Sequence, residues 1–273
     1  MGLVTVGTPK PDTFRSRDVL VTALSYIAGT VGAMAFVAVL VALVALGWQD
    51  FARVLAVPQG AGSALAISAL VLAIALPVTF AIGLCAAVCA TDPSIGGVAT
   101  RAVRESLEWS VGIPPVVIGV AVFFTVVAFV HSSVVGAAAL ALIVLNLPNA
   151  TARLAQAFSG VPEVAREAAA ALGASSVSAF FGLTLPQSAW AVAAVLCALA
   201  GQMVGETSAV ALVVSASGGA QPLSAAIWHF ASNVSLAATE AASCLVLVLV
   251  VAACTALSKD FSRRQLETSA TKT

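Results

Sequence analysis

The chain has 273 residues, 60% of them hydrophobic and only 9% charged, with a formal net charge of zero. Soluble domains carry about 25% charged residues, so a mean hydropathy of +1.07 marks an integral membrane protein. The balanced charge excludes the basic footprint of a nucleic-acid binder.

Residues 1–18 form a polar tail containing Lys10, Arg15 and Arg17. An apolar run follows from Val19 to Leu46. The apolar region of a cleaved signal peptide is only about 7–15 residues long, so this longer run reads as an uncleaved first transmembrane helix. A spanning helix needs about 20 mostly apolar residues. That rule predicts six spans, at about 19–46, 64–90, 110–130, 134–150, 188–214 and 237–257. The expected fold class is therefore all-α: a polytopic membrane domain over 19–258 between tails at 1–18 and 259–273.

Six spans with both ends on one side put Lys10, Arg15, Arg17, Arg101, Arg104, Arg153, Arg166, Lys259, Arg263, Arg264 and Lys272 together and leave Arg53 alone opposite. Basic residues accumulate on the cytoplasmic side, so both termini are expected there. Between the spans, residues 47–62 make a short outer loop, and the charged stretch 91–109 reads as a solvated inner connector. Gly112-Ile113-Pro114-Pro115 suggests a broken start to the third span, and Asn146, Pro148 and Asn149 an interruption at the end of the fourth. In the outer loop 215–236, Trp228 fits an interfacial anchor and His229 a surface residue.

Residues 160–186 separate two apolar stretches. Pro162 suits a helix's first turn, where its missing N–H is harmless. Glu163 favours the same turn through the helix dipole. Residues 163–172 are strong helix formers, Gly173 is a natural stop, and Pro186 opens the next helix. A short Ala-rich helix with a sharp end is predicted, with side chains small enough to let another surface approach.

No Gly-x-x-x-x-Gly-Lys-Ser/Thr loop is present, and Lys10, Lys259 and Lys272 are the only lysines, so ATP phosphates would have to be held by another chain. No catalytic set, cofactor motif or metal-ligand spacing stands out. Cys85 and Cys89 lie one turn apart without an adjoining His or carboxylate, which reads as packing. The unusual feature is Gly205-Glu206-Thr207-Ser208 inside the fifth span. A carboxylate at membrane depth costs about 2.5–3.5 kcal/mol on insertion scales and marks a functional candidate. Gln202, four residues earlier, would share its helical face; Ser208 is angularly away.

Glu167-Ala168-Ala169, three residues, Gly173, nine residues, Leu183, one residue and Leu185-Pro186 resemble the EAA loop of ABC-importer permeases. Gly205-Glu206-Thr207, Gly112-Ile113-Pro114-Pro115-Val116-Val117-Ile118-Gly119 and Gln221-Pro222-Leu223 are similar to motifs of the phosphate-importer permeases, the PstA and PstC pair. The resemblance covers about residues 63–257; the short first outer loop leans to PstA and Ala209-Val210 to PstC. It implies a type I ABC-importer permease fold in a bacterial-type inner membrane and no cofactor. It implies four kinds of contact: an ATPase subunit, a homologous sister permease, an extracytoplasmic phosphate-binding protein and the lipid bilayer. By the same resemblance, the loop at about 155–187 carries the coupling helix, with Glu167, Ala168, Ala169, Gly173 and Pro186 as ATPase-coupling residues. Gln202, Glu206, Thr207 and Ser208 would then line the substrate path.

The sequence departs from that pattern where the family usually has Arg three residues before the Gly of Gly-Glu-Thr, because here the residue is Gln202. A second family Arg aligns nearest Ala152, one residue from Arg153, and one residue is a turn of about 100° on a helix. The substrate therefore stays open between phosphate and another oxyanion such as molybdate or tungstate. A stand-alone channel or secondary carrier is the remaining alternative.

Overall fold

The structure, a computed structural model, describes residues 30–31, 33–35, 37–48, 61–91, 101, 105, 114–127, 134–206, 208–215, 222–231 and 237–270. The described residues contain helices and no strands. In chain order they are α1 (Ala33–Gly47), α2 (Ala61–Thr91), α3 (Pro115–Val122, continued as a π turn Phe123–Val127), α4 (Val134–Ser159) and α5 (Glu163–Ala171). Then follow α6 (Ser176–Gln187), α7 (Ala189–Gly205), α8 (Ser208–Ser215), α9 (Leu223–Ala231) and α10 (Ala237–Ala270).

Among the described residues three helices are long and apolar enough to cross a membrane, and α6 with α7 makes a fourth if that bent pair counts as one span. Of the expected first span residues 30–31, 33–35 and 37–46 are described, and of the third residues 114–127; the inner connector 91–109 lies almost wholly outside the described residues.

Small residues decide how these helices meet. In lipid there is no water to drive apolar faces together, so helices associate by close van der Waals packing of small side chains. On α2, Val71, Ala75, Thr79 and Ala87 form a buried stripe at four-residue spacing, while Leu70, Ile74, Val78 and Ile82 form an exposed stripe beside it. The buried stripe packs on α4, whose Ala138, Ala139, Leu142 and Ala150 are buried. A Cβ at Gly83 would stand 3.2 Å from that of Ala150. The second long contact is α7 on α10, where a Cβ at Gly201 would lie 3.0 Å from Cys254 Cβ. At Gly119 of α3 a Cβ would meet the Ala209 carbonyl oxygen of α8 at 2.8 Å, so only Gly permits that crossing.

Three spans differ from the sequence expectation. The fourth span does not end near 150: α4 passes through Pro148 and continues to Ser159. Asn146 does not interrupt it either, since its Nδ2 donates to Leu142 O at 2.9 Å inside the helix. The fifth span is not one helix, because α7 stops at Gly205 and α8 starts at Ser208. The sixth helix runs on to Ala270 instead of ending near 257. With 34 residues at 1.5 Å rise it is about 51 Å long, against a hydrocarbon core of about 30 Å, so one end stands well clear of the bilayer core.

Candidate functional site

The Glu-Ala-Ala stretch folds as expected, with one shift. Pro162 is the N-cap of α5, not its first helical residue, and Glu163 takes the first turn. Arg166 then holds α5 against the end of α4. One of its Nη groups donates to Phe158 O at 2.9 Å and to Val161 O at 3.2 Å. The other lies 3.7 Å from Glu163 Oε2. Phe158 O also accepts from Val161 N–H at 3.1 Å, so the guanidinium adds a charged donor at this helix end and opposes the negative end of the dipole.

Gly173 has φ +84°, a left-handed conformation that suits glycine. Its N–H donates to Ala170 O at 2.9 Å, and Ala174 N–H donates to Ala169 O at 3.0 Å. This is the Schellman pairing that closes a helix C-terminus with its own backbone. No atom lies within 4 Å of a Cβ placed there, so conformation and not space asks for glycine. Ser175 caps the next helix by accepting from Ser178 N–H at 3.3 Å. Phe180 packs edge-on against Phe158 of α4, with ring centroids 5.2 Å apart.

The opposite side of this segment is uncovered. Val164, Leu172, Val177 and Phe181 are 74%, 88%, 67% and 61% exposed. Behind α5 a cavity of about 250 Å³ is lined by Val88, Thr91, Glu163, Arg166, Glu167 and Phe180. Glu167, Ala168 and Gly173 are exposed; Ala169 is half-buried. Pro186 stands in the first turn of the short helical turn Leu185–Gln187 at the end of α6, just before a bend of 73° into α7.

The second region is the break in the fifth span. Gln202 is exposed near the end of α7. Its Oε1 accepts from Asn149 Nδ2 at 2.5 Å, and Asn149 Oδ1 accepts from Arg153 Nε at 3.0 Å. A chain Arg153–Asn149–Gln202 thus links α4 to α7. The arginine end opens on a cavity of about 330 Å³ whose other lining residues include Gln156, Ala191, Ser258, Ser262 and Gln265. Glu206 does not continue the helical face of Gln202, because its backbone is extended, with φ −70° and ψ 111°. It is half-buried beside Ser68, Leu142, Met203 and Pro222. Thr207 lies outside the described residues, and Ser208 is placed only as the first residue of α8.

Gln202 and Glu206 therefore do not share one helical face, and the partner of Gln202 is Asn149, which was expected within an interruption. The signal for Asn149 and Arg153 was their four-residue spacing, which puts them on one helical face once α4 is allowed to run past 150.

A protein-family profile described as "Binding-protein-dependent transport system inner membrane component" matches residues 80–265. Among solved structures, a chain of the inward-facing MetNI methionine ABC transporter in its CY5 native crystal form is 18% identical, with a TM-score of 0.63 over 76% of this chain and 94% of that one. A chain from the CY5 selenomethionine-soak form of the same transporter is 19% identical, with a TM-score of 0.57 over 82% and 96%. A search of curated proteins found no match.

Proposed function

The chain belongs to the family of binding-protein-dependent transport system inner membrane components, and from that premise we propose that it is the permease subunit of an ABC importer for phosphate. A separate ATPase subunit drives it, a sister permease completes the path, and an extracytoplasmic binding protein delivers the anion. The segment 155–187 is the coupling element. Val164 and Leu172, exposed apolar side chains in and just after α5, have no reason to face water, and a groove on an ATPase would cover them together with Val177 and Phe181 at the start of α6.

The observation that carries the anion reading is the Arg153–Asn149–Gln202 chain. Among the described residues no carboxylate pairs with Arg153, and its Nε alone is engaged. The two Nη groups keep the fork geometry that binds tetrahedral oxyanions bidentately. The cation missing at position 202 is thereby supplied from α4 through an amide relay. Glu206, if ionised, would repel phosphate, so its role is polarity at the break or gating.

Uptake of labelled phosphate, in cells lacking other phosphate importers and co-expressing the partner subunits, tests this reading. Arg153→Ala should lower uptake by about tenfold, the equivalent of 1.4 kcal/mol, with co-purification of the ATPase unchanged. Competition that follows molybdate or tungstate instead of phosphate would reassign the substrate within the same chemistry. Orientation has its own test: a cysteine at Ser217 reacts with an impermeant thiol reagent from outside, and one at Ser175 does not. Labelling at Ser175 in sealed, right-side-out cells would overturn the cytoplasmic placing of the coupling segment.

A further inference from the structure

We propose that Gln265, on the far end of α10, is a wedge that holds the bend between the coupling segment and α7, and so acts as a positioning residue for transport. In an unbroken helix the N–H of Ala191 would donate to the carbonyl of Gln187, four residues earlier. Here both groups bond to the same foreign side chain instead. Gln265 Nε2 donates to Gln187 O at 2.8 Å, and Ala191 N–H donates to Gln265 Oε1 at 3.3 Å. The ladder holds on either side of a gap, with Ser188 N–H on Thr184 O at 3.0 Å and Val192 N–H on Ser188 O at 2.9 Å, while Ala189 and Trp190 make no backbone bond across it. One side-chain amide thus bridges the last of three open rungs.

An inserted side chain is one of the few causes of a sharp helix kink, alongside proline and π turns; the bridged rung lies at the 73° bend together with Pro186 and the π turn Phe180–Thr184, and Gln265 is the part of that bend held from another helix. An amide fits because it carries a donor and an acceptor side by side. Only one of its two orientations satisfies both backbone groups.

The wedge is held by a stiff mount. Phe261 stacks on Trp190 at 5.7 Å, the Arg264 guanidinium lies 5.4 Å from the same indole ring, and Ser258 Oγ donates to Ala194 O at 2.8 Å. The space beside it is open: Gln265 lines the cavity of about 330 Å³ shared with Arg153. Withdrawal of the amide into that cavity lets the Ala191–Gln187 bond close and α6 swing toward the axis of α7. The bend is a statement about this chain alone; its consequence for transport rests on the coupling role proposed above.

The test places spin labels on cysteines introduced at Ser178 and Lys259, with the five native cysteines replaced, in the full chain in lipid nanodiscs. At 1.5 Å per residue Ser178 stands about 15 Å from the bend, so relaxing the bend by half moves it by roughly 9 Å. Gln265→Met keeps the length and loses both hydrogen bonds, and is expected to show that shift or a second population. Gln265→Glu keeps the acceptor for Ala191 and loses the donor to Gln187, and should shift less. The Gln265→Glu variant carries the test alone if Gln265→Met does not accumulate in the membrane.

An unchanged distance distribution overturns the wedge, even where phosphate uptake and the coupling reading stand. In liposomes holding the co-expressed complex, Gln265→Met should raise ATP hydrolysed per labelled phosphate imported by about threefold, less than the tenfold that 1.4 kcal/mol gives. A shifted distance in a chain to which no ATPase binds supports the wedge and refutes the coupling role.

Discussion

Two helix ends in this chain can be set side by side. At Gly173 the backbone turns left-handed and the last carbonyls of α5 are met by the next two N–H groups, at 2.9 and 3.0 Å. At Glu206 the backbone goes extended, and its N–H reaches Met203 O only at 3.4 Å before α8 begins at Ser208. The first end lies on an exposed surface segment and is closed by its own chain. The second lies within an apolar stretch and is the more open of the two, its backbone turning extended with only that long bond from Glu206. Water would tolerate a loose end at Gly173, yet that end is tightly closed; the looser end is the one at Glu206, among apolar residues. Non-helical backbone at membrane depth persists only where protein or a wet cavity meets it. The closed end therefore suits a rigid contact surface, and the open end suits a path.

The largest expected effect breaks the closed region. Arg166→Ala strips the charged donors from Phe158 O and Val161 O, both in buried residues. Hydrogen bonds to charged groups contribute about 1.5–3 kcal/mol, so α5 should detach from α4. Uptake of labelled phosphate should fall by more than about tenfold, and a protease should nick residues 172–175 more readily, while membrane insertion is kept. Normal uptake would mean that α5 needs no fixed seat on α4.

The next effect separates the two ends by sign. Glu206→Ala removes a carboxylate whose insertion costs about 2.5–3.5 kcal/mol, so the solubilised chain should melt no lower than the parent. Uptake should nonetheless drop by about fivefold, under the tenfold equivalent of 1.4 kcal/mol, with the ATPase still co-purifying. Loss of melting temperature together with uptake would make Glu206 a structural strut.

How legible each end was in the sequence follows from the same contrast. Gly173 could be read because its signal is local: an Ala-rich run, then a residue free to take positive φ. The Schellman bonds use only neighbouring backbone. Glu206 was legible as a polar residue at depth, but the break was not, since residues 188–214 are apolar on both sides of it and no proline marks it. Treating them as one helix placed Gln202 and Glu206 on a common face that the extended backbone at Glu206 removes. Asn149 was misread for the converse reason: Pro148 suggested an end, while α4 tolerates it and carries Asn149 and Arg153 on together. Gln265 could not be found at all, because its partners Gln187 and Ala191 are more than 70 residues away and are backbone groups.

A smaller effect probes why the closed end needs glycine. A β-carbon at Gly173 meets nothing within 4 Å, so Gly173→Leu adds no clash and only the strain of a left-handed residue, about 1–2 kcal/mol. Gly173→Asn should be milder, as Asn visits that region more readily. Uptake should therefore order as Gly, then Asn, then Leu. Equal uptake for Asn and Leu, both low, would show that the bulk of the side chain matters against a partner and not the turn itself.

The smallest expected effect is at the open end, where Gln202→Arg adds a second cation beside Arg153. Gln202 is exposed, so the longer side chain has room. It loses one thing: Oε1 now accepts from Asn149 Nδ2, and a guanidinium has no acceptor. Asn149 Oδ1 has two lone pairs and engages Arg153 Nε with one, so after an amide turn it can accept from both arginines. Two guanidinium groups on one carbonyl repel each other, but the site is open and water screens them. The substrate anion would then bridge them. Uptake should stay within about twofold of the parent, well under the tenfold that 1.4 kcal/mol gives, and its salt dependence should steepen. Asn149→Ala in the same background removes the shared acceptor and separates the possibilities: if Gln202→Arg is active and the double variant is not, the asparagine organises the cations. If both are inactive while Gln202→Ala transports normally, the chain from α4 to α7 holds helices together and the anion passes elsewhere.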